Sequence, residues 1–274
     1  MRSAAAGERA GRFIATKEHR RFTEFADAVR RHRYIGLCYG PAGVGKTHSA
    51  RRYARWDIAE PLLLTWGPRA PSDAQVYAAL ARSRSVFYTP AVSAPFQVLR
   101  DEIAQLMTRA DICIDTHVHR DEIVRTGLTD PAELLILDEA ERLSTVALEH
   151  VRDLFDRTGI GVILIGMPGL EKRLARYPQL YSRIGFAHHY RPLQGEELSF
   201  VLTRHWRQFG LSLDEADFTD AQAMASIARI TGGNFRLLQR LFVQIERILT
   251  INGLRVITDD VVEAARSTLV IGAT

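Results

Sequence analysis

Residues 40–47 read Gly-Pro-Ala-Gly-Val-Gly-Lys-Thr, a complete match to G-x-x-x-x-G-K-[ST]. Glycines at 40, 43 and 45 let the backbone curl until several N–H groups face one anion. Lys46 is spaced to reach the terminal phosphates of ATP, and the Thr47 hydroxyl to hold Mg²⁺. The nucleotide-binding set is therefore Gly40, Pro41, Ala42, Gly43, Val44, Gly45, Lys46, Thr47 and the following His48. The flanks supply the context this loop needs. Before it, Tyr34-Ile35-Gly36-Leu37-Cys38-Tyr39 is a short apolar run, expected to be a buried strand. After it, residues 48–58 contain neither Gly nor Pro and predict a helix whose N-terminus faces the phosphates.

A second landmark lies at Glu133-Leu134-Leu135-Ile136-Leu137-Asp138-Glu139. Four consecutive apolar residues ending in two carboxylates read as a parallel strand covered on both faces. Ligands of open α/β sheets bind at the carboxyl ends of such strands. Asp138 is placed to hold Mg²⁺ through water, and Glu139 to polarise the attacking water.

The rest of the chain can be laid out from these two points. Residues 1–15 are small and basic without periodicity, and read as a flexible arm. Thr16 caps a helix over 18–33, with Phe22, Phe25, Ala26 and Val29 on one face. Pro61-Leu62-Leu63-Leu64-Thr65 predicts a second buried strand, and 66–95 an irregular stretch broken by four prolines. A helix over 94–109 follows, then a short strand or strand end at 111–115, and a polar helix or loop over 117–126. Helices are expected at 144–157, 170–176 and 178–184, and strands at 161–166 and 186–190. From Gln194 the pattern is helical throughout, at 194–209, 219–231, 233–252 and 258–268. The fold class is α/β: a phosphate-loop parallel sheet with helices on both faces over 16–192, then a small all-helical lid over 193–274.

Composition bounds the function. The chain has 274 residues, 46% hydrophobic and 25% charged, which is ordinary for a globular protein. No apolar run approaches a membrane span, and the first residues carry no signal-peptide core. The two cysteines, Cys38 and Cys113, sit in apolar runs, so the expected location is a reducing cytoplasm. The net charge of +4 is uneven: residues 1–60 hold 13 basic against 6 acidic side chains. That balance fits a solvated basic face or a surface for a polyanion.

Phosphate loop, strand-end Asp-Glu, a fourth strand, a basic short helix and a helical lid together resemble the AAA+ ATPases. The resemblance covers nearly all of residues 13–270. It implies a catalytic site shared between subunits, with an arginine finger donated just before the last strand. Tyr181-Ser182-Arg183-Ile184 fits that place, making Arg183 the candidate and Arg176 the second. Gly232-Gly233-Asn234-Phe235-Arg236 resembles the family's second sensor, so Arg236 is expected to reach the γ-phosphate of its own subunit. One departure stands out. The family's first sensor is a polar residue after the fourth strand, where this chain has Ile165-Gly166-Met167-Pro168-Gly169. A thioether orients water poorly, so hydrolysis is slow or another group substitutes.

Within the family the chain resembles the small transposition ATPases TnsC, TniB and the Mu B protein. Thr16-x-x-His19, Tyr-Gly-Pro-Ala-Gly-Val-Gly-Lys-Thr at 39–47, Leu-Asp-Glu-Ala-Glu-Arg-Leu at 137–143 and Gly-Gly-Asn-x-Arg at 232–236 carry that likeness. The resemblance implies ATP-dependent, sequence-independent assembly on double-stranded DNA as a ring or helical filament. It further implies marking of a transposition target and recruitment of a transposase, with target-selection proteins as other partners. Arg82, Arg84, Arg120 and Arg125 are the candidate DNA contacts, read as lying in two loops around the 94–109 helix. The same motifs occur in secretion-associated ATPases of the ExeA type; a helicase loader of the IstB or DnaC type and an ExeA-like assembly ATPase with no DNA role are the competing readings.

Overall fold

The computed structural model describes residues 13–119 and 129–269. Most of the expected N-terminal arm and two of the candidate DNA contacts, Arg120 and Arg125, lie outside them. The described chain divides into two compact units, Arg21–Arg191 and a second made of Pro192 onward with the residues up to Arg20.

The first unit is built on α1 (Lys17–His32), β1 (Ile35–Tyr39), α2 (Lys46–Tyr53), α3 (Trp56–Thr65), α4 (Ala74–Ser83) and β2 (Ser85–Tyr88). It continues through α5 (Phe96–Val118), β3 (Leu134–Leu137), α6 (Thr145–Thr158), β4 (Gly161–Gly166), α7 (Leu170–Leu174), α8 (Pro178–Tyr181) and β5 (Ile184–His189). All five strands are parallel, in the order β2-β3-β4-β1-β5. β3 and β4 are buried along their whole length, as the unbroken apolar runs require. β5, at an edge, alternates instead between half-buried and exposed residues. This strand order brings the loop after β1 and the carboxylates after β3 to the same end of the sheet, on either side of β4.

Three expectations need correction. Residues 61–65 are not a strand: they finish α3, which carries Pro61 inside it. Its buried residues, Trp56, Ala59 and Leu63, recur at helical spacing, while Leu64 is 61% exposed. The 66–95 stretch is not irregular throughout, since it contains α4 and the second strand, β2. The break at 111–115 does not exist either. α5 runs through it, burying Leu99, Ile103, Leu106, Ala110, Cys113 and Ile114 on one stripe. The two aspartates that looked like strand ends serve the chain returning to β3. Asp111 accepts from the Ala132 amide (2.7 Å), and Asp115 from the amides of Thr129 (3.0 Å) and Asp130 (3.3 Å).

The second unit packs α9 (Gly195–Gln208), α10 (Phe218–Thr231), α11 (Phe235–Asn252) and α12 (Asp259–Ser267) around Val201, Leu202, Trp206, Ile227, Leu241 and Ile245. Side-chain caps start three of these helices: Asp217 for α10, Asn234 for α11 and Thr258 for α12. The first turn of α1 groups here, through a Lys17–Glu196 ion pair at 2.7 Å and a Glu18 amide donating to Glu197 at 2.8 Å. Residues 16–20 thus belong with the helices, where the sequence reading had put them with the sheet. Among the described residues no helix is long and apolar enough to cross a membrane.

Candidate nucleotide site

The loop between β1 and α2 is shaped by two residues in the left-handed region, Gly43 (φ 78°) and Gly45 (φ 111°). The α2 N-terminus begins directly at Lys46. Its Nζ donates to the loop's own carbonyls, Gly40 O at 2.5 Å and Pro41 O at 2.8 Å. Burial holds the Lys46 pKa below the ordinary lysine value, opposed by the nearby Cys38, Asp138, Glu141 and Glu139. One buried cation thus stands among acidic groups within reach of the loop.

Thr47 Oγ1 donates to Asp138 Oδ2 at 2.7 Å, joining residues 91 positions apart. Asp138 is buried, and burial raises its pKa, with the Thr47 bond opposing. Its backbone is fixed by a bond from Asp138 N to Tyr88 O at 2.9 Å. A hydroxyl and a carboxylate side by side are hard oxygen donors, the set that Mg²⁺ takes beside phosphate oxygens and water. Glu139 follows in a left-handed backbone conformation (φ 51°, ψ 45°), with the Arg142 guanidinium 3.8 Å from its Oε2. Arg142 also donates to Pro90 O at 3.0 Å, so it is held in place by the loop after β2. The loop residues, Lys46, Thr47, Asp138 and Glu139 are thereby brought to one place. His48 is exposed on the first turn of α2.

The arginines fare differently. Arg183 sits immediately before β5, as expected, but its guanidinium is engaged within the subunit: Nε and Nη2 meet Asp156 at 2.6 and 2.8 Å. Arg176 is exposed and has no ion-pair partner among the described residues. Arg236 is exposed in the first turn of α11, in the helical unit, behind the Gly232-Gly233 turn. Arg82 and Arg84 do not lie in a loop after the second strand. They end α4 and precede β2, at the edge of the parallel sheet opposite the phosphate loop. Arg84 pairs with Asp130 at 2.7 Å and Glu133 at 3.6 Å, so its charge is spent inside the fold.

Two residues of the site escaped the sequence reading. Tyr190 is buried; its amide donates to Tyr39 O at 2.8 Å and its hydroxyl lies 2.7 Å from Ser49 Oγ. It props both ends of the phosphate loop, and no motif marks it. Glu141 could have been found as the third acid of Asp-Glu-Ala-Glu.

The comparisons with known proteins agree with this geometry. Residues 29–174 match the model of a family described as AAA domain. A Staphylococcus aureus protein described as a potential ATP-binding protein is 41% identical over 265 residues, covering 95% of this chain and 97% of its own. The Mu-like prophage FluMu DNA transposition protein B of Haemophilus influenzae is 23% identical over 237 residues, 84% of this chain and 71% of its own. Among solved structures, the Thermotoga maritima RuvB Holliday junction branch migration motor aligns with a TM-score of 0.55 at 17% identity, over 92% of this chain and 68% of its own. The Aeropyrum pernix ORC2 protein in its ADP form also aligns at 0.55, with 16% identity, over 94% and 70%.

Proposed function

Because this chain belongs to the AAA domain family, and its fold is that of the AAA+ ATPases, we propose that it is an ATP-hydrolysing switch that assembles on duplex DNA and directs a transposase to its target. The observation that carries the nucleotide half is the 2.7 Å contact of Thr47 with Asp138 beside the buried Lys46. The likeness to a DNA transposition protein supports the DNA half.

The chemistry follows from this chain's own groups. The loop amides and Lys46 orient the β- and γ-phosphates, and Thr47 and Asp138 hold Mg²⁺, directly or through water. When bound, the ion would supply positive charge that offsets the negative charge of the phosphates. Glu139 accepts a proton from water as its oxygen bonds to the γ-phosphorus and the bond to ADP breaks. Arg183 of a neighbouring subunit stabilises the charge spread over the transferring group. To do so it must leave the bidentate pair with Asp156, so this pair and the finger role are alternatives for the same side chain. Arg236 reports the γ-phosphate to the helical unit. Mixing Arg183→Ala with Lys46→Ala subunits should restore part of the activity that each lacks, since a mixed interface pairs an intact loop with an intact finger. Absence of rescue at every ratio, with both variants still assembling, removes the shared site, and Arg176 becomes the finger to test.

DNA contact is made through phosphates, which give position without reading bases. Arg82 and Arg84 remain proposed contacts, with Arg120 and Arg125; Arg84 would first have to leave Asp130 and Glu133. A ring or filament multiplies a few weak contacts per subunit, because each further contact is intramolecular. The buried, unbridged Cys38 and Cys113 fit a cytoplasmic location. The test is filter binding of duplex DNA with and without a non-hydrolysable ATP analogue, from low to moderate salt. Binding should require the analogue, ignore sequence and weaken steeply with salt. Binding absent everywhere, or equal without nucleotide, would leave a helicase loader or an assembly ATPase instead.

A further inference from the structure

Two exposed features of the helical unit are opposite in charge, and both leave large apolar side chains in water. The first is on α11, which buries Leu238, Leu241, Phe242, Ile245 and Leu249 and turns the opposite stripe to solvent. Arg240, Val243, Arg247 and Ile251 succeed one another there about one turn apart, all exposed. Val243 is 60% exposed and Ile251 69%. Glu246 is the only acid on this helix, and neither Arg240 nor Arg247 has an ion-pair partner among the described residues. Val243 is thus an apolar centre with a guanidinium one turn to either side. The second feature is the turn into α10. Asp214, Glu215, Asp217 and Asp220 crowd together there without a base, and Phe218 among them is 78% exposed. The turn is held in shape by its own acids. Asp214 N donates to Asp220 Oδ2 at 2.9 Å, Ala216 N donates to Asp214 Oδ1 at 2.9 Å, and Asp217 caps α10. Glu215 has no hydrogen-bond or ion-pair partner among the described residues.

We propose that these are the two halves of one contact between copies of this chain: Phe218 of one copy packs on Val243 and Ile251 of the next, with its acidic neighbours on Arg240 and Arg247. Within a single copy the contact is not made, since all three apolar side chains stay mostly exposed. The composition of the stripe selects a second copy over nucleic acid. Phosphates would engage the arginines alone and leave Val243 and Ile251 in water. An aromatic anchor set among acids satisfies both kinds of group, and this chain carries one. Because the turn is preformed, little ordering is needed when it docks. The two patches are unlike, so the contact repeats head to tail and generates a ring or a filament. The inference goes beyond the switch reading above, since it requires neither hydrolysis nor DNA.

The test is sedimentation of the full chain over a range of concentrations, without DNA, with and without a non-hydrolysable ATP analogue. Wild type should self-associate. Arg240→Glu with Arg247→Glu, and Asp214→Arg with Glu215→Arg, should each weaken self-association about tenfold or more, because like charges then face each other. An equimolar mixture of these two variants should recover to within about threefold of wild type, since every junction between alternating copies again joins opposite charges. Phe218→Ala should weaken association about tenfold by removing the anchor. If the Asp214 variant does not fold, Glu215→Arg alone takes its place in the mixture. A wild type that stays monomeric in every condition overturns the proposal. So does a charge reversal or Phe218→Ala that associates like wild type, and so does a mixture no better than its parts. Arginine variants that associate normally but retain duplex DNA poorly overturn it in favour of a nucleic-acid surface. The switch reading fails separately: absent hydrolysis and DNA retention with the mixture still rescued would remove that reading and leave this contact.

Discussion

Glu139→Gln should hydrolyse ATP about 10²–10⁴-fold more slowly than wild type while binding it as tightly. The amide keeps the side chain's size and its left-handed backbone, and the Lys46, Thr47 and Asp138 contacts do not involve Glu139. Only the ability to take a proton is removed. Binding should survive because the loop amides, the lysine and the metal ligands are intact. The slowed enzyme should therefore dwell in its ATP-bound form. On the proposed function it should hold DNA longer after a chase with competitor. Phosphate release at the wild-type rate would make Glu139 a structural residue. In that case the base must be sought elsewhere at the ends of β3 and β4.

Lys46→Ala should abolish tight ATP binding. The loop would keep its backbone donors but lose the buried cation. Two or so charge-assisted bonds to phosphate oxygens, each about 1.5–3 kcal/mol, correspond to at least a hundredfold in affinity. The lost partners are the buried Gly40 carbonyl and the partly buried Pro41 carbonyl, so a moderate loss of stability is expected beside the loss of binding. A fluorescent-ATP titration and a thermal melt together separate the two effects. Wild-type affinity would remove the nucleotide assignment, and a collapsed melt would locate Lys46's role in folding.

The meeting of the 40–47 loop with Asp138 was legible before any coordinates, and for a physical reason. Anion binding by backbone amides demands glycines at fixed positions, and a doubly covered strand demands an unbroken apolar run, so both leave marks in one dimension. The α3 error arose where the signal is degenerate. Leu62-Leu63-Leu64 reads equally well as buried strand or helix, and the deciding residues, Trp56 and Ala59, lie upstream. The α5 error had a different source. Asp111 and Asp115 seemed to end an element, yet their carboxylates accept from the Ala132 and Thr129 amides, 21 and 14 residues on. Partners of that kind cannot be seen from local pattern. The partners of Arg84 were hidden for the same reason: an arginine between a helix and a strand looks free until Asp130 and Glu133 are folded against it. Glu141 was in plain view in the motif, but its carboxyl group can lie against the end of β4 only because Gly166, 25 residues later, has no side chain.

The backbone at Glu139 has an evolutionary consequence. A non-glycine residue in the left-handed region costs on the order of 1 kcal/mol, a cost that glycine avoids and asparagine reduces. Selection for stability therefore pushes steadily against glutamate here, and on the proposed function it is hydrolysis that pushes back. A lineage that came to use ATP binding alone would be free to drift toward glycine or asparagine at this position. If Glu139 is the base, the residue found at 139 among descendants of this gene is a record, readable from genomes, of whether turnover was kept.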